Sequence, residues 1–327
     1  MTPAVGYKRS VLVSIASDIA IAAIKVVAAV VSGSSAMVSE AIHSCVDACN
    51  SVFLLVGIRA GRRPPDAEHP FGHGRETYFW TLIVAVSIFA GGGAMSIYEG
   101  ITHLLRPHPL APSMWSYIVL GVAAVCESIA TVSAYREYRA VKRKEEIGLW
   151  RAFRASKDLT TFVVLFENGA AIIGVVIAFL GILATHVFGS PYPDGIASLL
   201  IGVLLGVVAF VLIRESKGLL IGEGVDPRAA REMRALAGAN ANVEEVLNLM
   251  TLQTGPGEVL VVMDLRFRPD LTAARLVDVI DDVESTFRAR YPEVTRIFIE
   301  ADRIVQNQRA VSPAGGSATV GRAVTPL

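Results

Sequence analysis

The stretch Ser39-Glu40-Ala41-Ile42-His43-Ser44-Cys45-Val46-Asp47-Ala48-Cys49-Asn50 lies within an otherwise apolar run from about Ala36 to Ala60. Roughly 20 apolar residues suffice to cross a bilayer as a helix, so the run reads as a membrane span. An ionisable group in hydrocarbon is costly, so each one inside a span is a functional candidate. On a helix each residue turns by about 100°, which places His43 and Asp47 about 40° apart on one face. Glu40 and Asn50 fall on the same stripe. A neutral imidazole and a carboxylate one turn apart can grip one divalent ion from a single helix. The bland alternative is a structural hydrogen bond that locks helix packing, which leaves the Glu40–Asn50 stripe unexplained. Glu40 by itself can equally sit solvated at the membrane edge. Cys45 and Cys49 lie on the other side of the helix and read as packing residues.

Five more runs qualify as spans, at about Val11–Val31, Tyr78–His103, Met114–Tyr135, Leu159–Val187 and Asp194–Ile213. Composition agrees: 53% of the 327 residues are hydrophobic and 18% charged, too apolar a balance for a soluble chain. A formal net charge of zero gives no reason to expect nucleic acid. The three cysteines lie inside apolar runs, with no CxxC pair and no disulfide framework. Lys8 and Arg9 precede the first run without a small-residue cleavage site, so that run reads as a retained helix.

Orientation follows from the loops. Arg59, Arg62, Arg63 and Arg75 follow span two, eight basic residues lie between Arg136 and Lys157, and Arg214 and Lys217 follow span six. The three opposite loops hold one basic residue, Arg106. This asymmetry places both termini and the basic loops in the cytoplasm.

After span six the chain has ordinary soluble charge density. Asp226 before Pro227 starts a helix to about Ala237. Val246–Gln253 and Glu258–Phe267 flank Thr254-Gly255-Pro256-Gly257 as a hairpin. Thr272–Tyr291 has helical apolar spacing and Arg296–Ile299 reads as a final strand. The order αββαβ is a small α+β two-layer domain, short for a lone core, which favours pairing with a second copy. The expected division is a six-helix transmembrane domain (1–215), an αββαβ domain (216–304) and a disordered tail (305–327).

Span five offers Glu167 and Asn168 in mid-run. A buried Glu needs a partner or a metal, and an Asn can give an amide oxygen or bridge helices. Asp18 and Lys25 share a face of span one and read as members of a structural ion pair, with each other or with groups on other helices. Glu99 reads as interfacial, Glu127 as a candidate for the aqueous pathway, and Asp158 as a helix cap. The loop His69-Pro70-Phe71-Gly72-His73-Gly74-Arg75-Glu76, with Asp66 and Glu68 before it, either binds metal at the cytoplasmic mouth or is a rigid Pro/Gly turn.

At Gly33-Ser34-Ser35-Ala36-Met37-Val38-Ser39-Glu40-Ala41-Ile42-His43-Ser44-Cys45-Val46-Asp47, at the loop Arg62-Arg63-Pro64-Pro65-Asp66-Ala67-Glu68-His69-Pro70-Phe71-Gly72-His73-Gly74, and in the αββαβ tail, the sequence resembles the cation diffusion facilitator family. The Arg-Pro-Pro loop and span five look most like its zinc transporter nine-like branch. The resemblance implies six spans, a ferredoxin-like, metallochaperone-like cytoplasmic domain, a homodimer, and export of Zn2+ or a related ion (Mn2+, Co2+ or Fe2+) against protons across the cell's inner membrane. It implies no enzymatic step, and His43 and Asp47 show no nucleophile arrangement. It also implies a tetrahedral site with two ligands from span two, His43 and Asp47, and two positions in span five, Val164 and Asn168. The branch carries Glu-Asp where this chain has Glu167-Asn168. Glu167 points about 100° from Asn168, so it would replace the lost oxygen only by rotation or unwinding of the helix. The lost carboxylate keeps a rival in play: a transport-impaired homologue acting as a metal sensor or scaffold. The tail contains no His or Cys, which argues against a strong zinc site there.

Overall fold

A computed structural model describes residues 4–107, 114–141 and 159–302. The basic stretch from Lys142 to Lys157, Asp158 and the tail at 305–327 lie outside the described residues. The helices are α1 (Ala4–Ser32), α2 (Ser35–Gly61), α3 (Glu76–Ser87), α4 (Met95–Leu105), α5 (Met114–Val141), α6 (Leu159–Phe188), α7 (Tyr192–Ile221), α8 (Pro227–Gly238) and α9 (Ala273–Arg290). The strands are β1 (Val243–Gly255), β2 (Glu258–Phe267) and β3 (Val294–Asp302).

Local chemistry sets the ends of α2, whose side chains dominate the site. Gly33 takes φ +65°, a left-handed conformation that closes α1. Ser34 then caps α2, its hydroxyl accepting from the Met37 N–H at 3.1 Å. Asp194 of α7 reinforces this end: its carboxylate accepts from the Ser34 hydroxyl and the Ser35 N–H, both at 2.6 Å. The third apolar run is one continuous helix, Glu76–Leu105, in which a π-helical turn at Ile88–Ala94 joins α3 to α4. The turn holds Gly91, Gly92 and Gly93. A Cβ on Gly93 would lie 3.2 Å from the Gly206 nitrogen, and one on Gly100 2.9 Å from the Gly195 carbonyl. Small residues here let this helix meet α7 backbone to backbone.

Among the described residues, four helices are long and apolar enough to cross a membrane: Ser35–Gly61, Glu76–Leu105, Phe162–Phe188 and Tyr192–Ile221. α1 and α5 are helices of 29 and 28 residues. The helical bundle is apolar outside and buries charged and polar side chains within its apolar core. Val30, Ile129, Val203 and Phe210 are exposed, whereas Lys25, Glu40, His43, Asn50 and Asp194 are buried. That inversion suits a hydrocarbon solvent.

α7 continues past the end of its apolar run to Ile221, where Gly222 (φ 110°) closes it. Asp226 caps α8 by accepting from the Arg228 N–H at 2.8 Å. The sheet order is β1-β2-β3, with β1 antiparallel and β3 parallel to β2. The hairpin turn is shorter than the four residues expected. Strand pairing runs through Gly255 and leaves only Pro256-Gly257, with Gly257 at φ 71°. Met233 and Ala237 of α8 and Val279, Val283 and Phe287 of α9 form one core with Val261, Met263 and Leu265 of β2. The second domain is therefore a small mixed three-stranded sheet packed on two helices. It meets the bundle at the α2–α3 loop, where Arg296 donates to the Pro70 carbonyl at 2.9 Å.

Candidate metal centre

α2 turns His43 inward to 1% exposure, and Asp47 follows one turn later. The His43 Nδ1 lies 3.3 Å from the Asp47 Oδ1. Neither His43 nitrogen has a hydrogen-bond partner, and nor does Asp47 Oδ1. Buried polar atoms are normally satisfied, because an unmade hydrogen bond in a low dielectric is costly. Donor atoms left bare side by side are what a removable cation would satisfy. The donor set, imidazole with carboxylate, suits a borderline divalent ion.

The rest of the stripe divides. Glu40 does not sit solvated at the membrane edge: it is fully buried, and its Oε2 accepts from the Lys25 ammonium at 3.0 Å. Its other oxygen faces Gly174 of α6, where a Cβ would come within 2.4 Å of it. Lys25 therefore pairs with α2 and not with Asp18, which accepts from the Ser51 hydroxyl at 2.9 Å. Asp47 and Glu127 also lie close enough to Lys25 to interact with it electrostatically.

From α6, Glu167 is buried and accepts from the Asn50 amide at 2.7 Å. α6 runs unbroken from Leu159 to Phe188, and Glu167 meets α2 at Asn50. The cause lies in how α6 is rolled against α2, which spacing within one helix does not reveal. Asn168 is half-buried and has no hydrogen-bond partner among the described residues, and Val164 packs against the apolar core. Cys45 and Cys49 are exposed, not packed inside. Both line an outward apolar groove with Val38 and Val46.

The sequence reading missed a second buried network. Besides its two bonds to α2, Asp194 lies 3.9 Å from His103 Nε2, and the hydroxyls of Ser39 and Ser198 bond across α2 and α7. The recurring Ser residues of α2 were the available signal.

The α2–α3 loop gathers a separate trio. Asp66 Oδ2 lies 2.9 Å from His73 Nε2, Asp66 Oδ1 lies 3.4 Å from His69 Nδ1, and one ligand atom from each residue lies within 4.8 Å of the others. Glu68 contributes its backbone N–H to Asp66, at 3.0 Å. The hydrogen bond with His73 is the largest influence holding the Asp66 carboxyl down at about 2. Asp66 thus stays ionised at neutral pH and is available as a carboxylate ligand. Zn2+ should bind this loop through Asp66, His69 and His73, the donor types it prefers. Calorimetric titration of the purified chain with and without Asp66→Ala checks this, and a binding stoichiometry unchanged by the substitution would remove the loop from consideration.

A bundle with apolar helices outside and bare imidazole and carboxylate donors inside has the architecture of a polytopic membrane protein with a candidate cation site. The Cation efflux transmembrane domain pattern matches residues 11–221, and the chain belongs to the cation efflux (cation diffusion facilitator) family. It is 34% identical to the proton-coupled zinc antiporter SLC30A9, mitochondrial, of Mus musculus, over 72% of this chain and 41% of that protein. It is 30% identical to metal tolerance protein C4 of Arabidopsis thaliana, over 69% and 50%. It is 24% identical to the manganese efflux system protein MneP of Bacillus subtilis, over 90% and 95%. The chain thus spans less than half the length of the zinc antiporter it matches.

Proposed function

We propose that this protein is a divalent-cation efflux carrier, exchanging Zn2+ for protons through a site between α2 and α6. The observation that carries the reading is the bare donor set of His43 and Asp47, an imidazole and a carboxylate with unpartnered atoms 3.3 Å apart inside the bundle. The ion takes His43 and Asp47 as ligands from α2. Asn168 supplies an amide oxygen from α6, and Glu167 is the carboxylate at hand where the branch has Asp in place of Asn168. Glu40 is held by Lys25 and acts as the neighbouring countercharge. Metal requires a neutral His43 and an ionised Asp47, so binding releases protons and protonation expels metal. Rocking of α2 and α6 against the remaining helices would turn the site from one side to the other. Mn2+, Co2+ and Fe2+ are the other ions such donors accept.

In this reading all six long helices span the cell membrane, with both termini cytoplasmic. The transmembrane domain covers 1–215 and a ferredoxin-like domain at 216–304 pairs with that of a second copy. Residues 305–327 form the tail. The lost carboxylate at Asn168 favours a second reading, a transport-impaired metal sensor. Flux into proteoliposomes under an imposed pH gradient separates the two. The chain should move Zn2+ and dissipate the gradient, and Asn168→Asp should raise metal affinity by about tenfold, as an added charge-assisted ligand would. Flux seen only in Asn168→Asp would favour the sensor. Flux indifferent to a collapsed gradient would exclude proton exchange.

A further inference from the structure

A cavity of about 690 Å³ lies where the bundle meets the second domain, among the end of α2, the α2–α3 loop and the rim of the sheet. Its charged lining is Arg62, Arg63 and Arg296 against one carboxylate, Glu258, and Thr77, Thr160 and Thr295 add hydroxyls, that of Thr77 donating to the Gly57 carbonyl at 3.4 Å. His73 also borders it but is already engaged with Asp66. Arg296 reaches in from β3, stacks over the Phe71 ring at 5.3 Å and gives one N–H to Pro70, which fixes the guanidinium while leaving other donors open. Among the described residues neither Arg63 nor Arg296 is paired with a carboxylate. A positively charged, hydroxyl-lined pocket too polar for an apolar ligand fits a tetrahedral oxyanion, which guanidinium forks bind bidentately.

We propose that this cavity binds a phosphate group, held by Arg63 from the bundle and Arg296 from the sheet, so that the anion bridges the two domains. The phosphate has two possible sources, an acidic lipid headgroup at the end of α2 or a soluble phosphate. The site does not depend on the transport reading, since binding is measured without flux.

The test uses the full chain in detergent, followed by thermal melting and native mass spectrometry. One arm adds inorganic phosphate or pyrophosphate at matched ionic strength. The other adds phosphatidylglycerol to the micelles, with phosphatidylcholine as the zwitterionic control. Phosphate or phosphatidylglycerol should raise the melting temperature, and R63A/R296A should weaken that ligand by about tenfold or more. Arg63→Ala alone changes only an exposed side chain and guards against misfolding of the double variant. Arg266→Ala, whose side chain pairs with Glu245 outside the cavity, should keep the full response. A response in the first arm assigns soluble phosphate, and one confined to the second assigns lipid. No response in either arm, an unchanged one in R63A/R296A, or an equal loss in Arg266→Ala overturns the proposal.

Discussion

Asp47→Ala and His43→Ala should each cut Zn2+ transport at least about a hundredfold while leaving the bundle folded. Changes to residues that merely orient ligands already lower metal affinity or activity by about 10–100-fold, and these two side chains are the proposed ligands themselves. Folding should survive because neither side chain holds the structure together. The His43 nitrogens and Asp47 Oδ1 have no hydrogen-bond partners, so removal strands nothing. Loss of a half-buried carboxylate whose Oδ1 is unsatisfied should even raise the melting temperature of the metal-free protein. Equilibrium metal binding and thermal unfolding, measured on the same preparations, check both halves. Retained binding in Asp47→Ala would move the site elsewhere. A lower melting temperature without metal would instead make Asp47 structural.

Lys25→Met should behave in the opposite way. Lys25 and Glu40 are both fully buried and 3.0 Å apart, and Asp47 and Glu127 lie near enough to act electrostatically on the same ammonium. Removing one partner of a buried pair leaves an uncompensated charge and costs about 3–5 kcal/mol, whereas replacing both with apolar groups of similar volume is often neutral. The single variant should therefore be poorly folded or melt far lower. The double variant Lys25→Met with Glu40→Leu should recover most of the loss. Size-exclusion behaviour and melting temperature in detergent read both. A double variant no better than the single one would show that Lys25 serves Asp47 or Glu127 more than Glu40. The contrast with Asp47→Ala separates two kinds of carboxylate in one bundle: Glu40 is ion-paired to Lys25, and Asp47 is left for the ion.

Much of this was legible in the amino-acid order. Span positions follow from apolar run length, because bilayer thickness sets helix length. The face shared by His43 and Asp47 follows from helical pitch within a single element. The αββαβ tail follows from capping residues and apolar period, again local signals. What only the tertiary structure decided is how the helices are rolled and paired. Glu40 read as a ligand or a solvated acid, yet its partner is Lys25, 15 residues away on another helix. Glu167 read as a buried acid in need of a partner or a metal, and the partner it finds is Asn50, 117 residues distant. The meeting of Asp194 with the start of α2 and of Arg296 with the α2–α3 loop are likewise contacts between distant parts of the chain. Periodicity states which residues share a face of one helix. Which face meets which neighbour is fixed by packing, through close approaches such as that of Gly93 to Gly206, and so appears only in three dimensions.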